Sequence, residues 1–271
     1  MIVPRAALVT GAAGGIGVAL CRNLAERGTR VLAHARSKEK AEVVGNGTIA
    51  VWGDVTRDDD VEAIARQVVG HGGVDLVVHN AGVLTRDRRK GPHGLGIQGE
   101  VNVLAPWTLT VALDRAGALH EGATVLVNTS GAANLARGHD YEALAEPDGS
   151  SLFGHYALSK AAANALTAHL AAEFPRYTFA AVEPGFVRTD MTAANPGMPW
   201  LLGKLAPLFG AMPEKAAARV LDRALAGDFA SGAVIQNGKV VSGAKWSGPG
   251  QLAAIRRFLL KAGVADEASP R

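Results

Sequence analysis

Residues 6–17 decide the fold, and they read Ala6-Ala7-Leu8-Val9-Thr10-Gly11-Ala12-Ala13-Gly14-Gly15-Ile16-Gly17. The first four are apolar and β-prone, and the helix-forming stretch 18–27 follows the last glycine. A strand, a glycine-rich turn and a helix start in this order form an anion site, because the helix N-terminus presents free N–H groups and a partial positive charge. We therefore predict a nucleotide site here, although such a turn taken alone can be no more than a loop.

The remaining chain alternates between apolar runs and helical stretches. Further strands are predicted over residues 30–35, 48–53, 75–79, 123–129, 177–182 and 233–236. This alternation predicts the α/β class: a doubly wound parallel sheet of the Rossmann type, with about seven strands and helices on both faces. We expect residues 1–264 to form a single domain and residues 265–271 to form a flexible tail.

Composition argues against several classes of function. The 271 residues carry a net charge of +3 and no basic run interleaved with aromatics, so nucleic acid is not an expected partner. The histidines show no paired spacing with other ligand types, so no metal is expected. The single cysteine, Cys21, fits a reducing compartment, and no signal-peptide layout or long apolar segment is present. We expect a cytoplasmic protein without a transmembrane segment.

The segments after the second and third strands bear on the choice of cofactor. In Ala35-Arg36-Ser37, no acid stands where NAD would need one for its ribose hydroxyls, and Arg36 could meet a 2′-phosphate. This favours NADPH over NADH. The alternative is a solvated arginine at the start of a helix that Ser37 caps. Asp54 and Val55 end the third strand and could hold an adenine, but Asp54 could equally be a turn residue.

Polar or small residues also follow the fourth and fifth strands. Asn80-Ala81-Gly82 suits close backbone contact beside a cofactor, and Ser130 lies at the sheet edge where ligands bind in doubly wound folds. Asn102 is an amide within an apolar helix and needs a partner. Pro106 would free a carbonyl one turn before it, so a local kink could satisfy Asn102 without any function.

Tyr156 and Lys160 are four residues apart in a run without Gly or Pro, and this spacing places them on one helical face. A phenol titrates near ~10, and lowering its pKa by about three units requires roughly 4 kcal/mol of preferential stabilisation of the phenolate. A buried neighbouring cation can supply that. The pair alone is weak support for a site, since tyrosine and lysine at this spacing occur on many solvated helices.

Two connections are unusual. Residues 131–155 form a long polar segment with two candidate short elements, an insertion before Tyr156. Residues 190–213 contain every methionine except the initiator, together with Trp200 and several leucines, punctuated by prolines. We interpret 190–213 as a lid over a bulky lipophilic substrate; the alternatives are an ordinary packed helix pair, or a surface that rests on a membrane or a partner.

Taken together, these motifs resemble the classical short-chain dehydrogenase/reductase family over about residues 6–189. The layout is most similar to retinol-dehydrogenase-like and carbonyl-reductase-like members, because the connection before Tyr156 is long. His79 stands where the family often has a first asparagine. The cofactor turn falls on residues 10–17, including Thr10, Gly11, Gly15, Ile16 and Gly17. The segment that meets the nicotinamide falls on residues 184–189, including Pro184, Gly185, Val187 and Thr189.

The resemblance implies a catalytic tetrad of Asn102, Ser130, Tyr156 and Lys160. Tyr156 would exchange a proton with the substrate oxygen and Ser130 would hydrogen-bond that oxygen. Lys160 would lower the pKa of Tyr156 and bind the nicotinamide ribose, and Asn102 would hold a water that relays protons. The implied activity is NADPH-dependent interconversion of an aldehyde or ketone and an alcohol.

Two other functions stay open: non-redox chemistry such as cyclisation or isomerisation on the same fold, and a catalytically silent nucleotide-binding scaffold. The resemblance also implies a homodimer or tetramer built through the helices that carry Asn102 and Tyr156. If residues 131–155 cover that face, the chain would instead be a monomer.

Overall fold

The computed structural model describes residues 3–45, 47–147, 151–185, 187, 211–241 and 243–264. Its strands are β1 (Ala6–Val9), β2 (Arg30–Ala35), β3 (Ile49–Trp52), β4 (Val74–His79), β5 (Leu119–Asn128), β6 (Thr178–Glu183), β7 (Ala233–Gln236) and β8 (Lys239–Val241). Its helices are α1 (Gly15–Glu26), α2 (Lys38–Glu42), α3 (Asp58–Gly70), α4 (Ile97–Gly99), α5 (Ala105–Arg115), α6 (Leu152–Glu173), α7 (Pro213–Ala226), α8 (Ala244–Ser247) and α9 (Pro249–Lys261). A π-helical turn spans Glu100–Leu104, and 3-10 turns span Gly131–Leu135 and Tyr141–Ala145.

The strands form one sheet in the order β3-β2-β1-β4-β5-β6-β7-β8. Strands β1 to β7 pair in parallel, which confirms the predicted doubly wound fold. The strand order reverses direction between β1 and β4, where such sheets open a crevice for ligands. The predicted count of about seven strands omits β8, which pairs antiparallel with β7. The hairpin turns at Asn237 and Gly238, both with positive φ (50° and 73°).

The sheet is buried on both faces, so its core has two layers. Along β1, Leu8 packs in one layer and Val9 in the other, as the two-residue period of a strand requires. Helices α1 and α7 contribute to the layer around Val9, whereas α3, α5, α6 and α9 contribute to the layer around Leu8. Each fully buried leucine stabilises the fold by about 1.5–3 kcal/mol relative to an exposed one.

Helix α6, which carries Tyr156, is covered along much of its length by the chain itself. The 3-10 turn Tyr141–Ala145 and helix α9 both pack against it, and Tyr141 and Phe258 lie fully buried in the same core layer. The Arg257 guanidinium of α9 donates to Glu142 at 2.9 Å and ties these two elements together. We propose that residues 1–264 form a single domain; the tail 265–271 lies outside the described residues.

Candidate active site

A cleft with a volume of about 630 Å³ lies along the carboxyl ends of the parallel strands. Its lining comes from the segments that follow β1 to β6 and from α6. The predicted site residues that line it are Gly11, Gly15, Ile16, Gly17, Arg36, Asp54, Val55, Asn80, Ala81, Gly82, Ser130, Tyr156, Lys160, Pro184, Gly185 and Val187. Thr189 lies outside the described residues. The structure thus brings the motifs of six strand ends into one cavity.

The glycine turn is shaped by close backbone contacts. Gly11 has φ +62°, and a Cβ on it would lie 2.9 Å from the Ala81 Cα; a Cβ on Gly17 would lie 2.3 Å from the Gly11 carbonyl oxygen. Helix α1 begins at Gly15 without a side-chain cap and without an acid in its first turn, so its free N–H groups can bind an anion. Thr10 lies behind the turn, where its Oγ1 accepts a hydrogen bond from Ala81 N at 3.0 Å.

A chain of hydrogen bonds links this turn to Lys160. Asn80 Nδ2 donates to the Thr10 and Gly11 carbonyl oxygens at 2.9 and 3.1 Å. Asn128 Nδ2 donates to Asn80 Oδ1 at 2.8 Å, and Lys160 Nζ donates to the Asn128 carbonyl oxygen at 3.0 Å. The sequence did not single out Asn128, although its place as the last residue of a buried strand was a usable signal.

At the opposite end of the cleft, Arg36 pairs with Asp54 through Nε and Oδ2 at 3.6 Å. The Arg36 side chain is 72% exposed, so it can turn toward a ligand. Asp54 also accepts hydrogen bonds from the Thr56 N–H and hydroxyl, as a turn residue does. Ser37 occupies the N-cap position of α2 but makes no capping hydrogen bond with its side chain, and it does not line the cleft.

Tyr156 and Lys160 both line the cleft; Lys160 is buried and Tyr156 is half-buried, with Lys160 Nζ 5.7 Å from the centroid of the Tyr156 ring. Burial raises the pKa of Tyr156; the hydrogen bond with Ser130 lowers it and the charge of Glu183 raises it. Burial also lowers the pKa of Lys160 to about 8. The expected lowering of the phenol pKa by the lysine is therefore not seen, because loss of hydration on burial is the largest influence on the pKa of Tyr156.

Asn102 lies just behind the cleft lining, within the π-helical turn. Its Oδ1 accepts from Val83 N at 2.8 Å, and its Nδ2 donates to the Val83 carbonyl oxygen at 2.9 Å and to Ser159 Oγ at 3.0 Å. These bonds satisfy the amide and fasten the segment after β4 to α6. Where the sequence predicted a local kink near Pro106, the structure has this π-helical turn, which directly precedes α5.

His79 replaces an asparagine of the family pattern without disturbing the site. It is buried, and its Nε2 lies 3.0 Å from Thr110 Oγ1, whose hydroxyl donates to the Pro106 carbonyl oxygen at 2.7 Å. Since that hydroxyl proton is already used, His79 Nε2 acts as the donor. Burial lowers the pKa of His79 to about 3, so the ring is neutral.

The cleft also contains lining residues that the sequence did not reveal. They include an apolar wall made of Val83, Leu84, Val101, Ala132, Leu135 and Phe153. The Phe153 ring centroid lies 6.4 Å from that of Tyr156. Glu183 adds an acid at the end of β6. A polar residue at the carboxyl end of a parallel strand is the signal that could have drawn attention to Glu183.

Within the described residues, no group of three or more His, Cys, Asp or Glu side chains is placed to hold a metal ion. None of the described helices combines the length and the apolar character needed to cross a bilayer.

Comparisons with known proteins agree with this geometry. The family model for short chain dehydrogenase matches residues 5–136. The 3-oxoacyl-(acyl-carrier-protein) reductase FabG of Vibrio cholerae is 31% identical over 201 residues, covering 70% of this chain and 76% of the relative. The enzyme of the same name from Staphylococcus aureus (strain Mu50) is 32% identical over 216 residues, covering 72% and 79%.

Among solved structures, a short-chain dehydrogenase/reductase from Serratia marcescens is 27% identical with a TM-score of 0.65, covering 90% of this chain and 98% of that one. The chain belongs to the short-chain dehydrogenase family. It is an NAD(P)-dependent oxidoreductase of the kind that interconverts carbonyls and alcohols.

Proposed function

We propose that this protein uses NADPH to interconvert an aldehyde or ketone and an alcohol on a fairly bulky apolar substrate. The observation that carries the proposal is the convergence of Ser130, Tyr156 and Lys160 in the cleft that also contains the glycine turn. A hydroxyl, a phenol and an amine in one cavity form a proton-transfer set beside an anion site.

When bound, the nicotinamide cofactor supplies the hydride for reduction or accepts it in oxidation. Tyr156 then donates a proton to the carbonyl oxygen, and Ser130 hydrogen-bonds that oxygen. The raised pKa of Tyr156 suits the reductive direction, because the phenol carries its proton at neutral pH. Lys160 holds the nicotinamide ribose, and Asn102 positions the segment after β4 and holds a water that relays protons to Lys160.

The residues present fit a dinucleotide. Uncapped N–H groups at the start of α1 suit the pyrophosphate, and Asp54 and Val55 suit the adenine. Arg36 supports NADPH over NADH, because a largely exposed guanidinium can pair with a 2′-phosphate. Pro184, Gly185 and Val187 would contact the nicotinamide, together with Thr189.

The apolar wall of the cleft supports a lipophilic substrate, and the names of the FabG relatives support reduction of a carbonyl carried on an acyl chain. The proposed lid, 190–213, lies outside the described residues except for its last three. At its base, Val187 and Ala211 form a parallel bridge.

We further propose that the chain is a monomer, because its own segments cover the face of α6 that would otherwise meet a partner subunit. The 3-10 turn Tyr141–Ala145, which belongs to the insertion 131–155, packs there together with α9, so this face is not free for a partner subunit. We also propose a cytoplasmic location, in keeping with Cys21, a buried free thiol.

A panel of carbonyl compounds of increasing size, assayed with NADPH and NADH side by side, tests the proposed function. We expect oxidation of NADPH in preference to NADH, with kcat/KM rising from small to bulky apolar carbonyls. Conversion of substrate without any change in the reduced-nicotinamide absorbance would instead indicate non-redox chemistry. Cofactor binding without any conversion would indicate a silent scaffold.

A further inference from the structure

Glu183 is a carboxylate inside the catalytic half of the cleft that the proposed chemistry leaves without a role. It is the last residue of β6, it lines the cleft and it is partly buried. Among the described residues that line the cleft, the other acid is Asp54, which lies at the adenine end and pairs with Arg36. A partly buried carboxylate loses part of its hydration, which is unfavourable, so other contacts must stabilise its charge.

The carboxylate lies against the turn that carries Ser130. It accepts a hydrogen bond from the Gly131 N–H, and a Cβ on Gly131 would lie 2.6 Å from Glu183 Oε1. A side chain at residue 131 would therefore push the carboxylate away. Glycine at this position lets the acid reach the backbone directly beside the serine that faces the substrate.

A cation in helix α7 favours the charged form of this acid. Burial raises the pKa of Glu183, while the Gly131 N–H and the charge of Arg219 in α7 act to lower it. Arg219 lies beside the nicotinamide segment, since its Nη1 would be 2.9 Å from a Cβ on Gly185. Glu183 thus has the Gly131 N–H as a hydrogen-bond donor and the guanidinium of Arg219 as a favourable charge.

We propose that Glu183 is a positioning residue for the reaction: its carboxylate fixes the Ser130–Gly131 turn and places a negative charge in the cleft that Tyr156 lines. This inference rests on the proposed function, in which Tyr156 donates a proton to the substrate. The consequence is that alcohol oxidation, which requires the deprotonated phenol, needs a higher pH than it would without Glu183.

The charges around Tyr156 support this role. Burial raises the pKa of Tyr156, the Ser130 hydrogen bond lowers it and the charge of Glu183 raises it further. Lys160 is the cation on the same helix, 5.7 Å from the ring centroid.

The described elements packed against α6 carry other charged side chains, but these side chains contact partners outside the cleft. Glu100 of the π turn is bonded to His93, Glu142 of the 3-10 turn pairs with Arg257, and Lys245 of α8 lies over the Trp246 ring. None of these groups lines the cleft.

Replacing Glu183 by glutamine tests the proposal, because the amide oxygen can still accept from Gly131 while the charge is removed. The pH profile of kcat for alcohol oxidation should move to lower pH by about one unit, the lower end of what a neighbouring charge does to a buried group. Glu142→Gln is the matched control, since it removes an equivalent charge outside the cleft, and its profile should coincide with that of the wild type.

Arg219→Gln is a second variant that leaves the carboxylate in place and removes the cation that offsets it. Its profile should move to higher pH, opposite to that of Glu183→Gln. This variant keeps the proposal testable if Glu183→Gln does not fold, as judged by circular dichroism. Superimposable profiles for the wild type and either variant would overturn the proposed role.

A titration without substrate separates this inference from the proposed function. The tyrosinate absorbance of each protein, minus that of the same protein carrying Tyr156→Phe, reports the ionisation of Tyr156 over the pH range in which the fold is intact. If the wild type turned over no carbonyl compound but the Tyr156 titration moved as stated, the proposed function would fail and the electrostatic role would stand. If turnover were present and the Tyr156 titration were unmoved in either folded variant, the role of Glu183 would be refuted.

Discussion

Replacing Gly82 by alanine would insert a methyl group between two side chains of the site. A Cβ built on Gly82 lies 3.2 Å from Asn102 Oδ1 and 3.3 Å from Lys160 Nζ. Both distances are shorter than an ordinary van der Waals contact, so each side chain must retreat by a few tenths of an ångström. The retreat lengthens two hydrogen bonds: Lys160 Nζ to the Asn128 carbonyl oxygen (3.0 Å) and Val83 N to Asn102 Oδ1 (2.8 Å).

The magnitude follows from these contacts. Each weakened hydrogen bond is worth about 1 kcal/mol net, so the free energy of unfolding should fall by no more than about 1–2 kcal/mol. A displacement of about 1 Å at a catalytic group can cost roughly a hundredfold in rate, so a few tenths of an ångström should lower kcat by about tenfold. Activity should therefore suffer more than stability.

The assay compares kcat and thermal unfolding for Gly82→Ala and for the control Gly70→Ala. Gly70 ends α3 in an exposed position with nothing within 4 Å of an added Cβ. The control should gain about 0.4–1 kcal/mol through the lower entropy of its unfolded chain and keep the wild-type kcat. If Gly82→Ala kept kcat within about twofold of the wild type, the placement of Lys160 and Asn102 would not matter as argued.

Three further predictions concern the cofactor and the pH dependence of stability. Arg36→Ala should raise the KM for NADPH by about tenfold, the loss of one charge-assisted hydrogen bond, and leave the KM for NADH unchanged; equal effects on both would contradict the 2′-phosphate role. Gly17→Ala should abolish cofactor binding in a titration of NADPH fluorescence, because the added carbon would lie 2.3 Å from the Gly11 carbonyl oxygen; retained affinity would refute the turn geometry. The hydrogen bond to Glu100 raises the pKa of His93 above its ordinary value. The bond therefore stabilises the fold fully below about pH 6.5, the ordinary pKa of histidine. This stabilisation is lost as the pH rises through the pKa that His93 has in the folded protein. Urea unfolding of the wild type against His93→Gln should show a difference that shrinks across that range, and a constant difference would contradict it.

The regular part of the fold is readable because its signals are local. The strands Ala6–Val9, Arg30–Ala35 and Ala233–Gln236 have the bounds that their apolar runs predict, since strands buried on both faces are continuous apolar segments. Strand β8 escaped prediction because it is short and its outer face is exposed. Asn237-Gly238 before it is a strong hairpin signal, so this strand could have been predicted from the sequence.

The site is only partly readable, because several of its properties arise from tertiary contacts. The spacing of Tyr156 and Lys160 places both side chains at one cleft, but it does not reveal how far burial shifts their pKa values. The partners of Asn102 come from the segment after β4 and from Ser159, and no sequence spacing connects them. Glu183 acquires its place through Gly131, a contact between the ends of two different strands.

The most direct test of the central claim, that Tyr156 passes a proton to a substrate in this cleft, is the kcat of Tyr156→Phe with NADPH and a turned-over carbonyl. Tyr141→Phe is the control, since Tyr141 is fully buried away from the cleft and its hydroxyl has no hydrogen-bond partner among the described residues. We predict that Tyr156→Phe loses about a hundredfold or more in kcat while binding NADPH as the wild type does, and that the control keeps both. Turnover by Tyr156→Phe equal to that of Tyr141→Phe would contradict the claim.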